Sequence, residues 1–184
     1  MSQREMESAR TRRLIIGTSR YVYVWLLLRA ENLLFWKVIP NLRNQRHKKL
    51  VSPSCASDPN GQKWIADWMH LVKDSPPDYV GIHWYGTSSD EAKKYIEAMH
   101  KKFPGNKIII SEIGSISRDK HDVYRFTQRM CNWMDEQDFI FEYGFFGYMK
   151  TMPNNFVSPE ARLMNPDASF TDLMHNYITQ QPWK

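Results

Sequence analysis

The 184 residues are 42% hydrophobic and 14% aromatic, which is enough for one buried core of ordinary domain size and too polar overall for a membrane protein. The formal net charge of +5 is concentrated in residues 1–50, which hold 11 Lys and Arg against three acids, whereas residues 51–184 hold 14 against 17. We interpret this basic leader as a solvated arm. Nucleic-acid binding is the alternative, but no nucleic-acid-binding module accompanies the charge, so we predict no nucleic-acid partner.

The apolar run from Tyr21 to Leu28 is too short to span a bilayer, which requires about 20 residues. It also lies later than the core of a usual signal peptide and lacks a clear cleavage site. We therefore predict neither a transmembrane helix nor a signal peptide, and the sequence leaves the cellular location open. Cys55 and Cys131 are far apart and lack metal-ligand spacing, so we expect buried free thiols and no metal site.

From about Lys48 onward, short apolar runs alternate with longer amphipathic ones four times, which indicates repeated βα units. The first unit comprises a strand at 49–52 and a helix at 61–72. Asp58 and Pro59 suit the N-cap and the first turn of that helix. Strand starts recur about every 30 residues, which is the length of one βα unit.

The second unit comprises a strand at 79–84 and a helix that Ser88 caps, with Glu91 completing a capping box. Pro104 and Gly105 end this helix. The last two units follow the same pattern, with strands predicted at 107–112 and 139–146 and helices from about 122 onward and at 170–179.

Nearly all-apolar strands separated by helices imply a parallel sheet that is covered on its faces. A doubly wound sheet would place a glycine-rich phosphate loop after its first strand, and the sequence has none. A barrel fits better, although a complete one needs roughly 250 residues and residues 49–184 supply only four units. The predicted fold class is therefore α/β, a partial (β/α)8 TIM barrel whose N-terminal half is largely missing.

The strand ends contain the candidate catalytic residues, because reactive groups of such barrels lie at the carboxyl ends of the strands. Glu112 closes an otherwise apolar strand, which is costly unless the carboxylate is hydrogen-bonded or used in chemistry. The alternative is a solvated or helix-capping Glu112. His83 and Tyr85 end the neighbouring predicted strand and would hydrogen-bond and orient the carboxylate.

Aromatic side chains at the same strand ends offer flat faces for a sugar ring, with a core role as the alternative. We assign six residues to substrate binding: His83, Trp84, Tyr85, Tyr143, Phe145 and Phe146.

Four stretches of sequence carry a family resemblance: Lys49–Ser54, Asp78–Gly86, Ile110–Ile113 and Tyr143–Gly147. In this order and spacing they resemble the Asl-type glycosyl hydrolase catalytic domain of fungi, glycoside hydrolase family 128. The resemblance begins near residue 35, so we assign residues 1–34 to an atypical basic leader and residues 35–184 to the C-terminal half of the catalytic barrel. It implies that the four predicted strands correspond to barrel strands 5 to 8.

The resemblance implies a retaining β-1,3-glucan hydrolase that uses two glutamates and no cofactor. Glu112 matches the motif of the nucleophile. The acid/base of the family belongs to an Asn-Glu-Pro motif, which does not occur in this sequence. We therefore expect little or no glucanase activity. The expected ligand is β-1,3-glucan, and we expect no membrane partner. The family suggests a cell-wall or extracellular location.

Three interpretations remain open. In the first, the chain is a shortened or alternatively spliced form of a family 128 glucanase. In the second, it is a non-catalytic β-glucan-binding protein that keeps the aromatic cleft wall. The third is an interaction protein, because a half barrel has two exposed parallel edges that favour self-association.

Overall fold

The computed structural model describes residues 48–152 and 156–184, and the predicted leader, residues 1–34, lies outside the described residues. Within the described part, helices alternate with strands in chain order. The elements are α1 Pro59–Leu71, β1 Tyr79–Gly86, α2 Ser89–Lys102, β2 Lys107–Ser115, α3 Lys120–Asp135, β3 Ile140–Phe145 and α4 Asp172–Thr179, with a single 3-10 turn at Pro159–Ala161 before α4.

The three strands form one parallel sheet in the order β1-β2-β3. The predicted strand at 49–52 is present only as a parallel bridge between Val51 and Tyr79, supported by a 2.9 Å hydrogen bond from Ser52 N to Tyr79 O. The prediction of a parallel α/β fold is confirmed, whereas closure into a barrel stays a prediction.

Local capping explains where the helices begin. The Asp58 carboxylate accepts hydrogen bonds from the amides of Asn60 and Gly61 at 2.8 and 3.1 Å, and Pro59 occupies the first turn, as predicted. Since these residues already form the helix start, α1 begins two residues before the predicted boundary at 61.

The starts of α2 and α3 rest on hydroxyl and carboxylate caps of the same kind. Ser88 Oγ accepts from the amide of Glu91 at 3.2 Å, as the predicted cap requires. Asp119 Oδ1 accepts from the amide of Asp122 at 3.0 Å, so α3 begins at Lys120 rather than near 122. Lys120 and His121 follow Asp119 and are exposed, so hydrophobic periodicity did not indicate this helix start.

The core lies between the sheet and its helices. The isoleucines of β2 are fully buried and α3 presents its apolar face to them: Ile108, Ile110, Ile113, Val123, Phe126, Met130 and Met134. Each such side chain contributes roughly 1.5–3 kcal/mol of transfer free energy relative to an exposed one. This rigid layer holds the strand ends in fixed register.

Both cysteines are free thiols. Cys131 is fully buried, as expected, whereas Cys55 near the start of α1 is only partly buried. Burial, followed by the nearby Asp58 carboxylate, raises the pKa of the Cys55 thiol to about 11, and Lys102 only partly opposes this. Cys55 is therefore a poor nucleophile at neutral pH.

None of the helices in residues 48–152 and 156–184 combines the length and apolar character needed to cross a bilayer.

Candidate active site

A bulge in β2 creates the site. Ile82 pairs with Ile110, but the next residue of β1, His83, pairs with Glu112. Ser111 is therefore the extra residue of the bulged strand, β2. A bulge of this kind re-aims side chains next to it. As a result both Ser111 and Glu112 reach the His83 imidazole.

The Glu112 carboxylate is held by a phenol. Tyr85 Oη donates a hydrogen bond of 2.6 Å to Glu112 Oε2, a length typical of charge-assisted bonds. Burial, and then the hydrogen bond to Glu112, raise the pKa of Tyr85, so the phenol keeps its proton and remains a donor. The two side chains are therefore fixed relative to each other.

His83 flanks the same carboxylate oxygen. Its Nδ1 lies 3.7 Å from Glu112 Oε2, and its side chain is 15% exposed. Burial lowers the pKa of His83, and the Glu112 charge opposes this shift without cancelling it. Because desolvation is the larger effect, the imidazole is neutral, and its contact with the Glu112 carboxylate is not an ion pair.

Two serines complete a chain of polar contacts behind His83. Ser111 Oγ lies 2.9 Å from His83 Nε2 and 3.0 Å from Ser54 Oγ. A neutral imidazole has one donor and one acceptor nitrogen. A tautomer protonated at Nδ1 would accept at Nε2 from the Ser111 hydroxyl, while Nδ1 lies 3.7 Å from Glu112 Oε2, beyond hydrogen-bond length.

Close approach of the chain at Gly81 makes room for Ser54. A Cβ atom at Gly81 would lie 2.5 Å from Ser54 Oγ, so a larger residue there would displace the serine. The Gly81 amide also donates to Ser52 Oγ at 2.9 Å, which ties residues 52–54 to β1. Ser54 and Ser111 lie in the stretches that carry the family resemblance but had no predicted role, since their pairing across strands depends on the bulge.

An aromatic wall surrounds Tyr85. Phe146 packs edge to face with its ring at a centroid distance of 5.9 Å, as does Phe156 at 5.2 Å. Phe156 is 56% exposed, which is unusual for a large apolar side chain beside a polar site. Phe156 was not among the predicted site residues. Its position in the long loop after β3, where barrel sites are built, was the available signal.

Three aromatic residues assigned to substrate binding lie instead in the core. Trp84, Tyr143 and Phe145 are at most 6% exposed. Trp84 stacks on Phe126 of α3, and Phe145 packs edge to face with Tyr177 of α4. Alternation along a strand sends Trp84 to the face opposite His83 and Tyr85. The sequence-based assignment of these three residues to substrate binding stays a prediction, and their enclosure by helices favours the core role given as its alternative.

Across residues 48–152 and 156–184, no cluster of three or more His, Cys, Asp or Glu side chains is arranged to hold a metal ion. The functional groups that the described residues bring together at the site are a carboxylate, a phenol, an imidazole and aromatic rings.

The chain is similar to glycosyl hydrolases in both sequence and structure. The glycosyl hydrolase catalytic core family profile matches residues 32–177. A GH128 subgroup VI exo-β-1,3-glucanase from Aureobasidium namibiae is 51% identical, with a TM-score of 0.80, over 83% of this chain and 62% of its own. No curated protein sequence matches the chain significantly.

Two further solved structures share the fold. A GH128 subgroup V exo-β-1,3-glucanase from Cryptococcus neoformans is 28% identical, with a TM-score of 0.69, over 78% of this chain and 59% of its own. A GH128 subgroup VII oligosaccharide-binding protein from the same organism is 18% identical, with a TM-score of 0.66, over 79% and 57%. At that identity the last comparison shows the fold alone.

A parallel α/β fold with an oriented carboxylate at a strand end is the arrangement of many glycoside hydrolases. The chain belongs to the glycosyl hydrolase catalytic core family, and its resemblance to glycoside hydrolase family 128 is confirmed. It spans about 62% of the length of the Aureobasidium namibiae structure.

Proposed function

We propose that the chain binds β-1,3-glucan at the carboxyl ends of β1 and β2, with Glu112 in the position of a retaining nucleophile. The observation that carries the proposal is the 2.6 Å hydrogen bond from Tyr85 to Glu112, with His83 beside the same oxygen. The 51% identity to an exo-β-1,3-glucanase supports the choice of substrate class.

We propose different roles for the two oxygens of the Glu112 carboxylate. Tyr85 and His83 both contact Oε2, so Oε1 is the oxygen that we assign to attack. In that step a bond forms between Oε1 and the anomeric carbon, while the bond from that carbon to the leaving oxygen breaks and the leaving oxygen keeps the electron pair. A neutral His83 adds no positive charge that would weaken the nucleophile.

Hydrolysis of an unactivated glucan also requires a proton for the leaving oxygen. In retaining enzymes a second carboxyl group, about 5–5.5 Å from the nucleophile, supplies it. The 184-residue sequence contains no Asn-Glu-Pro, the motif that the family resemblance associates with this group. General acid/base catalysis contributes about 10² to 10⁴-fold, so we propose weak or absent turnover of glucan by this chain.

We further propose that residues 35–184 form the C-terminal half of a (β/α)8 barrel. The parallel order β1-β2-β3, with Val51 bridged to the outer side of β1, is the order expected of four successive barrel strands. Glu112 then lies at the end of the third of these strands, on the face where barrel enzymes bind substrate.

An activated substrate tests the nucleophile separately from the acid/base. Dinitrophenolate leaves without protonation, so a 2,4-dinitrophenyl β-laminaribioside bypasses the acid/base requirement. We expect the wild-type chain to release about one equivalent of dinitrophenol in a burst, and laminarin hydrolysis to be slower by at least about 10²-fold.

The matched variants are Glu112→Gln, which should abolish the burst, and Glu97→Gln on the exposed surface of α2, which should leave it unchanged. A burst that survives Glu112→Gln would remove the nucleophile assignment. Rapid laminarin hydrolysis that is lost in Glu112→Gln would keep the assignment and contradict the proposed weak turnover.

The second candidate is a non-catalytic β-glucan-binding protein, which the absence of Asn-Glu-Pro favours. In that case the chain would sediment with insoluble β-1,3-glucan and give no dinitrophenol burst, because Glu112 would contact sugar without attacking it.

A further inference from the structure

A second cleft lies between the N-terminal ends of α3 and α4 and the turn Pro159–Ala161. Its volume is about 290 Å³, close to the lower end of about 300–1,000 Å³ for ligand pockets. Neither Tyr85 nor His83, the two described residues that lie against the Glu112 carboxylate, lines it. We call it the α3–α4 cleft and define it by Lys120, Tyr124, Glu160, Arg162, Phe170 and Asp172.

The positive and negative charges of the side chains that line the α3–α4 cleft are equal in number. Lys120 and Arg162 are offset by Glu160 and Asp172, so neither a cation nor an anion is favoured by net charge. Donors and acceptors are nevertheless close together. This combination suits a neutral ligand that carries many hydroxyl groups.

Arg162 has donor capacity that the protein does not use. Among the described residues its Nε has no hydrogen-bond partner, although the atom is buried. Leaving a buried donor unsatisfied is costly. The Arg162 side chain as a whole is only partly buried and lines the cleft, so the cleft wall contains a guanidinium donor group.

Aromatic rings provide the apolar part of the α3–α4 cleft. Tyr124 and Phe170 are both partly exposed, and Lys120 Nζ lies 5.4 Å from the centre of the Tyr124 ring. Burial, and then the nearby Asp172 carboxylate, raise the pKa of Tyr124, so its phenol stays neutral. Ring faces beside several polar groups match the alternating C–H and hydroxyl surfaces of a sugar.

We infer that the α3–α4 cleft is a second carbohydrate-binding site, which holds one or two units of a neutral glucan chain outside the Glu112 site. The choice of glucan rests on the proposed function. Phe156 packs on Tyr85 and Pro159 borders the cleft, and these residues lie three positions apart. Their Cα atoms are at most about 11 Å apart, so one polysaccharide strand can contact both sites.

Titration of the ¹⁵N-labelled chain with laminarihexaose tests this inference. We expect shifts of two groups of amides, one around Tyr85 and Glu112 and one around Tyr124 and Asp172. Arg162→Met, which keeps an unbranched apolar stem and removes the guanidinium donors, should weaken binding at the second group at least fivefold. Affinity at the first group should not change.

The control is Arg129→Met, an equivalent substitution at an exposed position of α3, which should bind at both sites like the wild type. Lys120→Ala, also exposed, is a second cleft variant that does not disturb the core, and thermal melting checks that each variant is folded.

Each pattern of shifts decides between the two proposals. Shifts around Glu112 alone, or a cleft affinity unchanged in both Arg162→Met and Lys120→Ala, overturn the second site and leave the proposed function standing. Shifts around the cleft alone support the second site and count against the proposed active site. The absence of shifts at both sites overturns both.

Discussion

Tyr85 and Glu112 meet across two neighbouring strands through a 2.6 Å hydrogen bond, and the phenol reaches the carboxylate by lying over Gly114. A Cβ atom at Gly114 would lie 3.1 Å from Cε1 of the Tyr85 ring, closer than most such contacts. The orientation of Glu112 thus depends on a glycine two residues along its own strand. It also depends on the bulge that sets Glu112 opposite His83.

Replacing Tyr85 by Phe should keep the ring contacts with Phe146 and Phe156 and remove the hydrogen bond. Because the bond is charge-assisted and partly buried, we expect a loss of about 1–3 kcal/mol in the free energy of unfolding. The dinitrophenol burst should slow by about tenfold, which corresponds to 1.4 kcal/mol of transition-state stabilisation. Urea unfolding and burst kinetics measure the two effects.

Tyr148→Phe removes a phenol from an exposed position and is the control for Tyr85→Phe. If both variants behave alike, the Tyr85 hydroxyl has no special role at Glu112.

The lowered pKa of His83 predicts a pH dependence of stability. The unfolded chain binds a proton at this residue near pH 6.5, whereas the folded chain binds it only at lower pH, because burial disfavours the imidazolium. Stability from this group is therefore fully present above pH 6.5 and is lost as the pH falls through 6.5 towards the folded pKa.

In His83→Gln, urea unfolding followed against pH should show a smaller decline below pH 6.5 than in the wild type. An identical decline in both proteins would mean that His83 titrates alike in the folded and unfolded states.

The serine behind His83 should determine the imidazole tautomer. If Ser111 donates to Nε2, the ¹⁵N shifts of His83 will identify Nδ1 as the protonated nitrogen at pH 8. Ser111→Ala removes this donor and should shift the tautomer population towards Nε2–H. Ser54→Ala acts one contact further away and should have a smaller effect. A wild-type imidazole protonated at Nε2 would contradict the assigned network.

Trp84 provides a test that separates a core role from the predicted sugar-binding role. Because it stacks on Phe126 at a centroid distance of 5.4 Å inside the core, Trp84→Ala should cost about 3–5 kcal/mol of stability. Trp84→Phe should cost less and should leave affinity for laminarihexaose unchanged. A loss of glucan affinity in a stably folded Trp84→Phe variant would support the sugar-binding role instead.

Periodicity and capping signals in the sequence located the helices and the three strands, because amphipathic faces and side-chain caps are local properties. The same logic brought Glu112, His83 and Tyr85 to one edge, since parallel strands end on the same side. Strand alternation was also visible, and it separates Trp84 from its two neighbours. The aromatic residues were grouped by type rather than by face.

The remaining features depend on contacts that no local pattern records. The bulge that brings Ser111 to His83 is a property of the pairing between β1 and β2. The approach of Phe156 to Tyr85 depends on the path of a long loop, and the position of Ser54 depends on the space above Gly81.

Covalent labelling tests the central claim most directly. A 2,4-dinitrophenyl 2-deoxy-2-fluoro-β-laminaribioside would transfer its sugar to the nucleophile, and peptide mass spectrometry locates the adduct. The account predicts one labelled peptide, carrying the sugar on Glu112, and no label in Glu112→Gln. An adduct on another carboxylate, or a folded wild-type chain that binds laminarihexaose and yet takes up no label, would contradict it.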